Sequence, residues 1–358
     1  MLEGVKILEF AQYYPGPYAS LRLQDWGAQV IKIEPPAGDN SRYHEKVGDD
    51  EGIAYQVLNR GKPSVVLNLK DEGDLQRARE LAQWADVLVE GFRPGVMDRL
   101  GLGYEAVKRL NPGIVYCSIT GYGQTGSLHT KSGHDLNYLA LGGMLSHLTD
   151  AQGRPVLPEV ALVDTVSGLT ASEAMLAGLV KRSLDPNGEG CYLDISMTES
   201  IAVLQSLVLA QQERWDKADC NPRNVSYNIY ETADGRFVTI AAMEPKFWLN
   251  FCRAVERMDL AEAHMSPAEE SNPAFGEMVA LFKSRSFEEW LDFFYREDCC
   301  FAPVLTAREA AEFPLFTERR IVERRWGLTH MKTHYLGEVD LPEYSVPIAR
   351  LGQNDLQV

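Results

Sequence analysis

Short apolar runs recur through the first third of the chain, each followed by a segment with helical spacing. Residues 5–10, 28–34, 65–70, 86–91 and 114–119 read as strands, each bounded by glycine, proline or an acidic residue. Residues 17–26 read as a helix opened by Pro17 and stopped by Gly27, and Asp71 caps a second helix running to Ala85. Apolar strands alternating with helices predict βαβ units and a mainly parallel sheet, an α/β Rossmann-like domain. Longer helical stretches follow at 135–146 and 161–180, then a turn cluster, a strand at 191–196 and a long connector helix over 197–214. The polar stretch 215–224 reads as a boundary. Beyond it, residues 227–243 alternate around Ala233-Asp-Gly235, the pattern of a β-hairpin. The resulting plan is a large domain over 1–185, a linker helix over 186–224, a small α+β domain over 225–305, and a return segment over 306–358 that packs on the large domain.

Composition narrows the partners. A chain of 358 residues, 45% hydrophobic and 24% charged, is that of a globular protein with two or more domains. The net charge of −16 argues against nucleic acid or an anionic membrane as partner, although a few local cations would still hold a small anionic ligand. No apolar run is long enough to span a bilayer, and the N-terminus lacks a signal-peptide pattern, so a cytoplasmic protein is expected. The six cysteines form no C-x-x-C pair, which makes a zinc site or a disulfide framework unexpected; no metal or prosthetic group is anticipated.

Ionisable residues at element ends supply the candidate chemistry. His134 and Asp135 stand side by side at a helix start, Asp164 sits in an apolar stretch at the start of another helix, and Glu244 ends a strand. A carboxylate among apolar neighbours is costly unless it has a partner or a task. Arg93 follows a strand, where a parallel sheet lines its ligand crevice. Asn59, Arg60 and Lys62 form a basic turn before a strand and reach that crevice only if the loop folds over. The run Gly121-Tyr-Gly-Gln-Thr-Gly126 matches G-x-G-x-x-G, but no amphipathic helix follows to receive a pyrophosphate, so it reads as a flexible turn.

Taken in order, these segments resemble the family III CoA-transferase superfamily of the CaiB/BaiF type, and its α-methylacyl-CoA racemase branch most closely. The resemblance rests on GPYASLRLQDWGAQVIKIEPPAGD at 16–39, NRGK at 59–62, FRPGVMDRLGLG at 92–103, SITGYGQ at 118–124 and GHDLNYLAL at 133–141. It implies an acyl-CoA thioester as substrate, with Arg93, Lys62, Asn59 and Arg60 as candidate CoA contacts, and an interlaced, ring-shaped homodimer. In the racemase branch His134 matches one catalytic base, Asp164 the base on the opposite face, and Glu244 the carboxylate that pairs with the histidine. The rival implication is CoA transfer between carboxylic acids, with Asp135 as the nucleophile. Racemases usually carry Pro-Phe-Tyr before the hairpin, where this chain reads Asn224-Val-Ser-Tyr-Asn-Ile-Tyr230.

The racemase implication has a definite chemistry. Epimerising an α-carbon needs one base on each face, the conjugate acid opposite returning the proton. The enolate oxygen needs a donor in a water-poor site, which the helix terminus at Asp164 or a nearby backbone N–H would supply.

Overall fold

The structure is a computed structural model that describes residues 1–150, 152–215, 223–325, 327–332 and 348–352. The chain divides into two compact units, residues 1–207 with 321–358, and residues 208–320.

Six parallel strands build the first unit: β1 (Lys6–Glu9), β2 (Gln29–Glu34), β3 (Ser64–Val66), β4 (Val87–Glu90), β5 (Val115–Thr120) and β6 (Cys191–Ser196). Their order is β3-β2-β1-β4-β5-β6, the doubly wound arrangement. Side chains alternate between two cores. On one face Ile7, Val30, Val89 and Cys117 pack with Ala19, Leu23, Ala171 and Met175. On the other, Leu8, Ile31, Leu88 and Tyr116 pack with Leu81, Ala82 and Val107. The crossover and flanking helices are α1 (Pro15–Asp25), α2 (Ile53–Leu58), α3 (Glu72–Trp84), α4 (Val96–Arg99), α5 (Tyr104–Leu110), α6 (Asp135–Leu141), α7 (Leu162–Leu184) and α8 (Met197–Ala202). Asp71 caps α3 as expected, its carboxylate accepting from Gly73 and Asp74 N–H at 2.9 and 3.1 Å.

Three boundaries differ from expectation. The helix expected over 135–146 stops at Gly142-Gly143, where Gly143 takes a left-handed φ of 81° and a separate tight turn, Met144–His147, follows. The long connector is broken by a tight turn at Val203–Gln205, where the Gln205 amide donates to the Gly142 carbonyl. Strand β6, expected within the linker, completes the large sheet instead, because its backbone pairs with β5 along its whole length. Of the expected return segment, residues 326, 333–347 and 353–358 fall outside the described residues. Ala349 is described and buried, and its carbonyl accepts from Arg42 in the same unit at 3.1 Å.

The second unit carries the expected hairpin, β7 (Tyr227–Glu231) and β8 (Phe237–Ala241), extended antiparallel by β9 (Phe301–Pro303). After α9 (Ser206–Trp215) come α10 (Pro245–Ala254), α11 (Pro273–Phe282) and α12 (Phe287–Arg296). Their apolar stripes, with Phe301 of β9, build an aromatic core of Trp248, Phe251, Phe282, Trp290 and Phe293. The division assigns residues 306–320 to this unit, although they were expected in the return segment.

Candidate active site

Strand order reverses between β1 and β4, and at such a point the loops leaving the two strands open a crevice at the carboxyl edge of the sheet. A cavity of about 690 Å³ lies there. Gln12, Tyr13 and Tyr14 wall it from the β1 loop, and Phe92 and Arg93 from the β4 loop. His134 and Tyr138 face it from the start of α6, and Asp164 from the start of α7. His134 and Asp164, with α6 and the Met144–His147 turn between them in sequence, therefore share one cavity.

Local geometry gives the neighbouring acids different tasks. His134 is exposed and heads α6, its backbone N–H donating to the Asn137 side chain at 3.0 Å. Asp135 does not line the cavity, and its Oδ2 accepts from Val163 N–H at 2.7 Å and Asp164 N–H at 3.0 Å. It thereby supplies α7 with the capping anion that Ala161, at the capping position, cannot. Two corrections follow. An Asp135 carboxylate held by two backbone donors, and absent from the cavity wall, is badly placed as the nucleophile of a transferase. The Val163 and Asp164 N–H groups at the head of α7 are likewise already occupied, so neither is free for an enolate oxygen.

Asp164 contrasts with it. No hydrogen-bond donor meets its carboxyl group among the described residues. Burial first, and the nearby Asp135 charge second, push its pKa up to about 7. A carboxyl poised there exchanges its proton readily near neutrality. The sign for stability follows. A pKa raised by folding stabilises the native state below the ordinary carboxylate range, and that contribution is lost as pH rises through 7. Asp164→Asn is therefore expected to raise the melting temperature at pH 8 and to change it much less at pH 4, read by thermal scans of both proteins at each pH. An equal shift at both values would contradict the unpaired, buried carboxyl.

The expected CoA contacts separate into two groups. Arg93 is exposed on the cavity wall, its guanidinium making no hydrogen bond or ion pair among the described residues. Lys62 instead is fully buried, its Nζ donating to Glu9 Oε2 (2.9 Å), Pro17 O (2.8 Å) and Asn59 Oδ1 (3.2 Å). Arg60 pairs with buried Asp25 at 2.7 Å. None of the three side chains from the 59–62 turn lies on the cavity wall, which corrects the expectation that the turn folds over the crevice. The physical reason is the Glu9 carboxylate, fully buried at the end of β1, which needs both Lys32 (2.7 Å) and Lys62 as partners. Glu244 lies in the second unit, exposed at the head of α10, which Pro245 opens; its side chain makes no capping bond there.

Sequence reasoning missed two features. One is the β1 loop, Gln12 to Tyr14, although the rule that picked Arg93 after β4 applies equally after β1. The other is a smaller cavity of about 270 Å³ over the ends of β2 and β3, lined by Ile33, Pro35, Pro36, Leu67, Lys70 and Phe92. It shares Gln12 and Phe92 with the larger cavity.

A family model described as CoA-transferase family III matches residues 2–337. The chain belongs to CoA-transferase family III. Within the family it is similar to proteins of both named activities. It is 32% identical to the human α-methylacyl-CoA racemase over 89% of this chain and 81% of the relative. It is 31% identical to the mouse succinyl-CoA:glutarate CoA-transferase over 99% of this chain and 82% of the relative. Among solved structures, a CaiB/BaiF family protein from Brucella suis superposes with a TM-score of 0.84 at 25% identity, covering 98% of this chain and 96% of that one. The chain is thus an enzyme of the transferase and racemase superfamily with its α/β fold. No helix among the described residues is long and apolar enough to cross a membrane.

Proposed function

We propose that this family III enzyme epimerises the α-carbon of a 2-methyl-branched acyl-CoA by two-base proton transfer. The observation that carries the reading is an imidazole, His134, on the wall of the cavity that also holds the unpaired Asp164 carboxyl. In one direction the Asp164 carboxylate takes the α-proton, and the enolate receives a proton from the His134 imidazolium on the other face. In the reverse direction the roles exchange. A carboxyl held near pH 7 suits a group that must be base in one direction and acid in the other. By resemblance, Glu244 orients the imidazole, and two chains assemble so that both units contribute. The exposed Val203, Leu204 and Leu207 support an assembly, because a run of apolar side chains in water invites burial. Sedimentation at micromolar concentration is expected to give twice the 40.0 kDa chain mass; an active monomer would contradict it.

Coenzyme A enters as part of the substrate. The 270 Å³ cavity, apolar between Pro35, Pro36 and Phe92 with Lys70 at its edge, fits a purine ring beside phosphate, and the thioester end then lies in the larger cavity. Arg93→Ala is expected to weaken CoA-ester binding by about 1–3 kcal/mol, the scale of a charged hydrogen bond. Calorimetry at low salt checks it, and unchanged affinity removes Arg93 from the site.

One observation favours a second reading, CoA transfer. In that reading the unpaired Asp164 carboxylate is the nucleophile, replacing Asp135 in that role; it forms a mixed anhydride and releases CoA thiolate. Incubation with an acyl-CoA, an acceptor carboxylic acid and hydroxylamine separates the two. Transfer gives a trappable acyl-enzyme and a new CoA ester, whereas epimerisation gives neither.

A further inference from the structure

The proposed reaction requires a donor for the oxygen that becomes negative, and four backbone N–H groups at or beside the cavity are already committed. Val163 and Asp164 N–H groups serve Asp135, His134 N–H serves Asn137, and Phe92 N–H serves Glu90 at 2.7 Å. Tyr138 donates to the Gly133 carbonyl at 2.5 Å. The Tyr14 hydroxyl is different. Its only partner among the described residues is Thr165 Oγ1, at 3.2 Å, a long contact for two hydroxyls. Thr165 is the donor in that contact, and its one proton has a shorter bond, 2.8 Å, to the Ala161 carbonyl, so the Tyr14 proton itself has no acceptor among the described residues.

The fold places this phenol deliberately. Tyr14 immediately precedes α1, and Tyr13 before it takes a left-handed φ of 65°, a strained state for a bulky residue. That turn is pinned by Tyr13 N–H to Asp39 (3.3 Å) and by Asn40 to the Tyr13 hydroxyl (2.9 Å). Helix α1 comes close to α7 because residue 168 is glycine. A Cβ there would stand 2.9 Å from Pro15 O and 2.8 Å from the Tyr18 ring. The close approach brings Tyr14 to Thr165, the neighbour of Asp164, on the wall of the main cavity.

We propose that Tyr14 is a catalytic residue whose hydroxyl donates to the thioester carbonyl oxygen of the bound acyl-CoA and holds it as the enolate forms. The substrate oxygen accepts the Tyr14 proton, and the long contact from Thr165 to the Tyr14 oxygen can remain. No proton leaves the phenol; the α-proton goes to Asp164 or His134 and the electron pair to the oxygen. Burial first, with the charges of Asp164 and Asp135, raises the Tyr14 pKa, so the phenol remains a donor. The mechanistic part rests on the epimerase reading; the contact with the carbonyl does not.

Tyr14→Phe is the test, with two readouts. The first is α-proton exchange in D₂O from each pure enantiomer. Loss of an oxyanion donor is expected to lower kcat by about 10²–10³-fold. The loss is expected to be equal for both enantiomers, because the enolate is common to both directions, and KM should change little. A rate within about threefold of the parent, or a loss confined to one enantiomer, overturns the proposal, the latter because Tyr14 would then act only through one base. The second readout is calorimetric affinity for the acyl-CoA against its thioether analogue, which lacks the carbonyl. The parent enzyme is expected to prefer the thioester and Tyr14→Phe to lose that preference. A preference that persists in the variant overturns the contact. A parent that exchanges no α-proton, yet shows a Tyr14-dependent preference, refutes the epimerase reading while the contact stands. Matching melting temperatures exclude simple misfolding.

Discussion

His134→Ala and Asp164→Ala are each expected to abolish epimerisation of a 2-methyl-branched acyl-CoA. Removing one of two bases costs on the order of 10²–10⁴-fold. Each variant is expected to keep exchanging the α-proton of one enantiomer, because the remaining base still works its own face. The two variants should retain opposite enantiomers. Asp135→Asn should be far milder, since an amide oxygen can still accept from the Val163 and Asp164 N–H groups that Asp135 now caps. Following deuterium incorporation by mass spectrometry from each pure enantiomer reads all three variants. If Asp135→Asn were inactive and Asp164→Ala nearly normal, the assignment of base to Asp164 and of cap to Asp135 would be reversed.

The largest stability effect is expected at Glu9. Its buried carboxylate takes Lys32 at 2.7 Å, Lys62 at 2.9 Å and the Ser20 hydroxyl. Glu9→Ala leaves two ammonium groups buried with one carboxylate fewer, and breaking such a set costs about 3–5 kcal/mol. Burial works against the Glu9 charge, but Lys32 and Lys62 outweigh it and hold its pKa below the ordinary carboxylate range. The stabilisation is therefore present above that range and is lost as pH falls through the lowered value. Burial is also the first cause that pulls Lys62 down to about 8, so Lys62→Met, which removes an ammonium easily neutralised, is expected to cost much less. Urea denaturation of the two variants checks the order, and a larger loss for Lys62→Met would contradict it.

The sheet was legible in the sequence because its strands are buried on both faces and read as continuous apolar runs, β1, β4 and β5 above all. The break at Gly142-Gly143 was missed because helical spacing runs on into Met144 and Leu145 and hides the left-handed turn. His134, Asp164 and Arg93 could be picked out as chemistry at element ends. The task of Asp135 could not, since it depends on α7 beginning within hydrogen-bond reach of α6, a tertiary fact without local pattern. Lys62 misled for a related reason. A basic turn before a strand looks solvated until the buried acid it serves, Glu9, is found fifty-three positions earlier. Tyr14 was hidden in the aromatic Tyr13-Tyr14-Pro15 sequence, which reads only as a helix entry.

The most direct measurement is incubation of the enzyme in D₂O with one pure enantiomer of a 2-methyl-branched acyl-CoA, following deuterium and configuration at the α-carbon together. Epimerisation by two bases predicts that the inverted product carries α-deuterium and that both enantiomers reach the same mixture with no acceptor acid present. Unlabelled substrate of unchanged configuration, together with transfer of CoA to an added carboxylic acid, would contradict it.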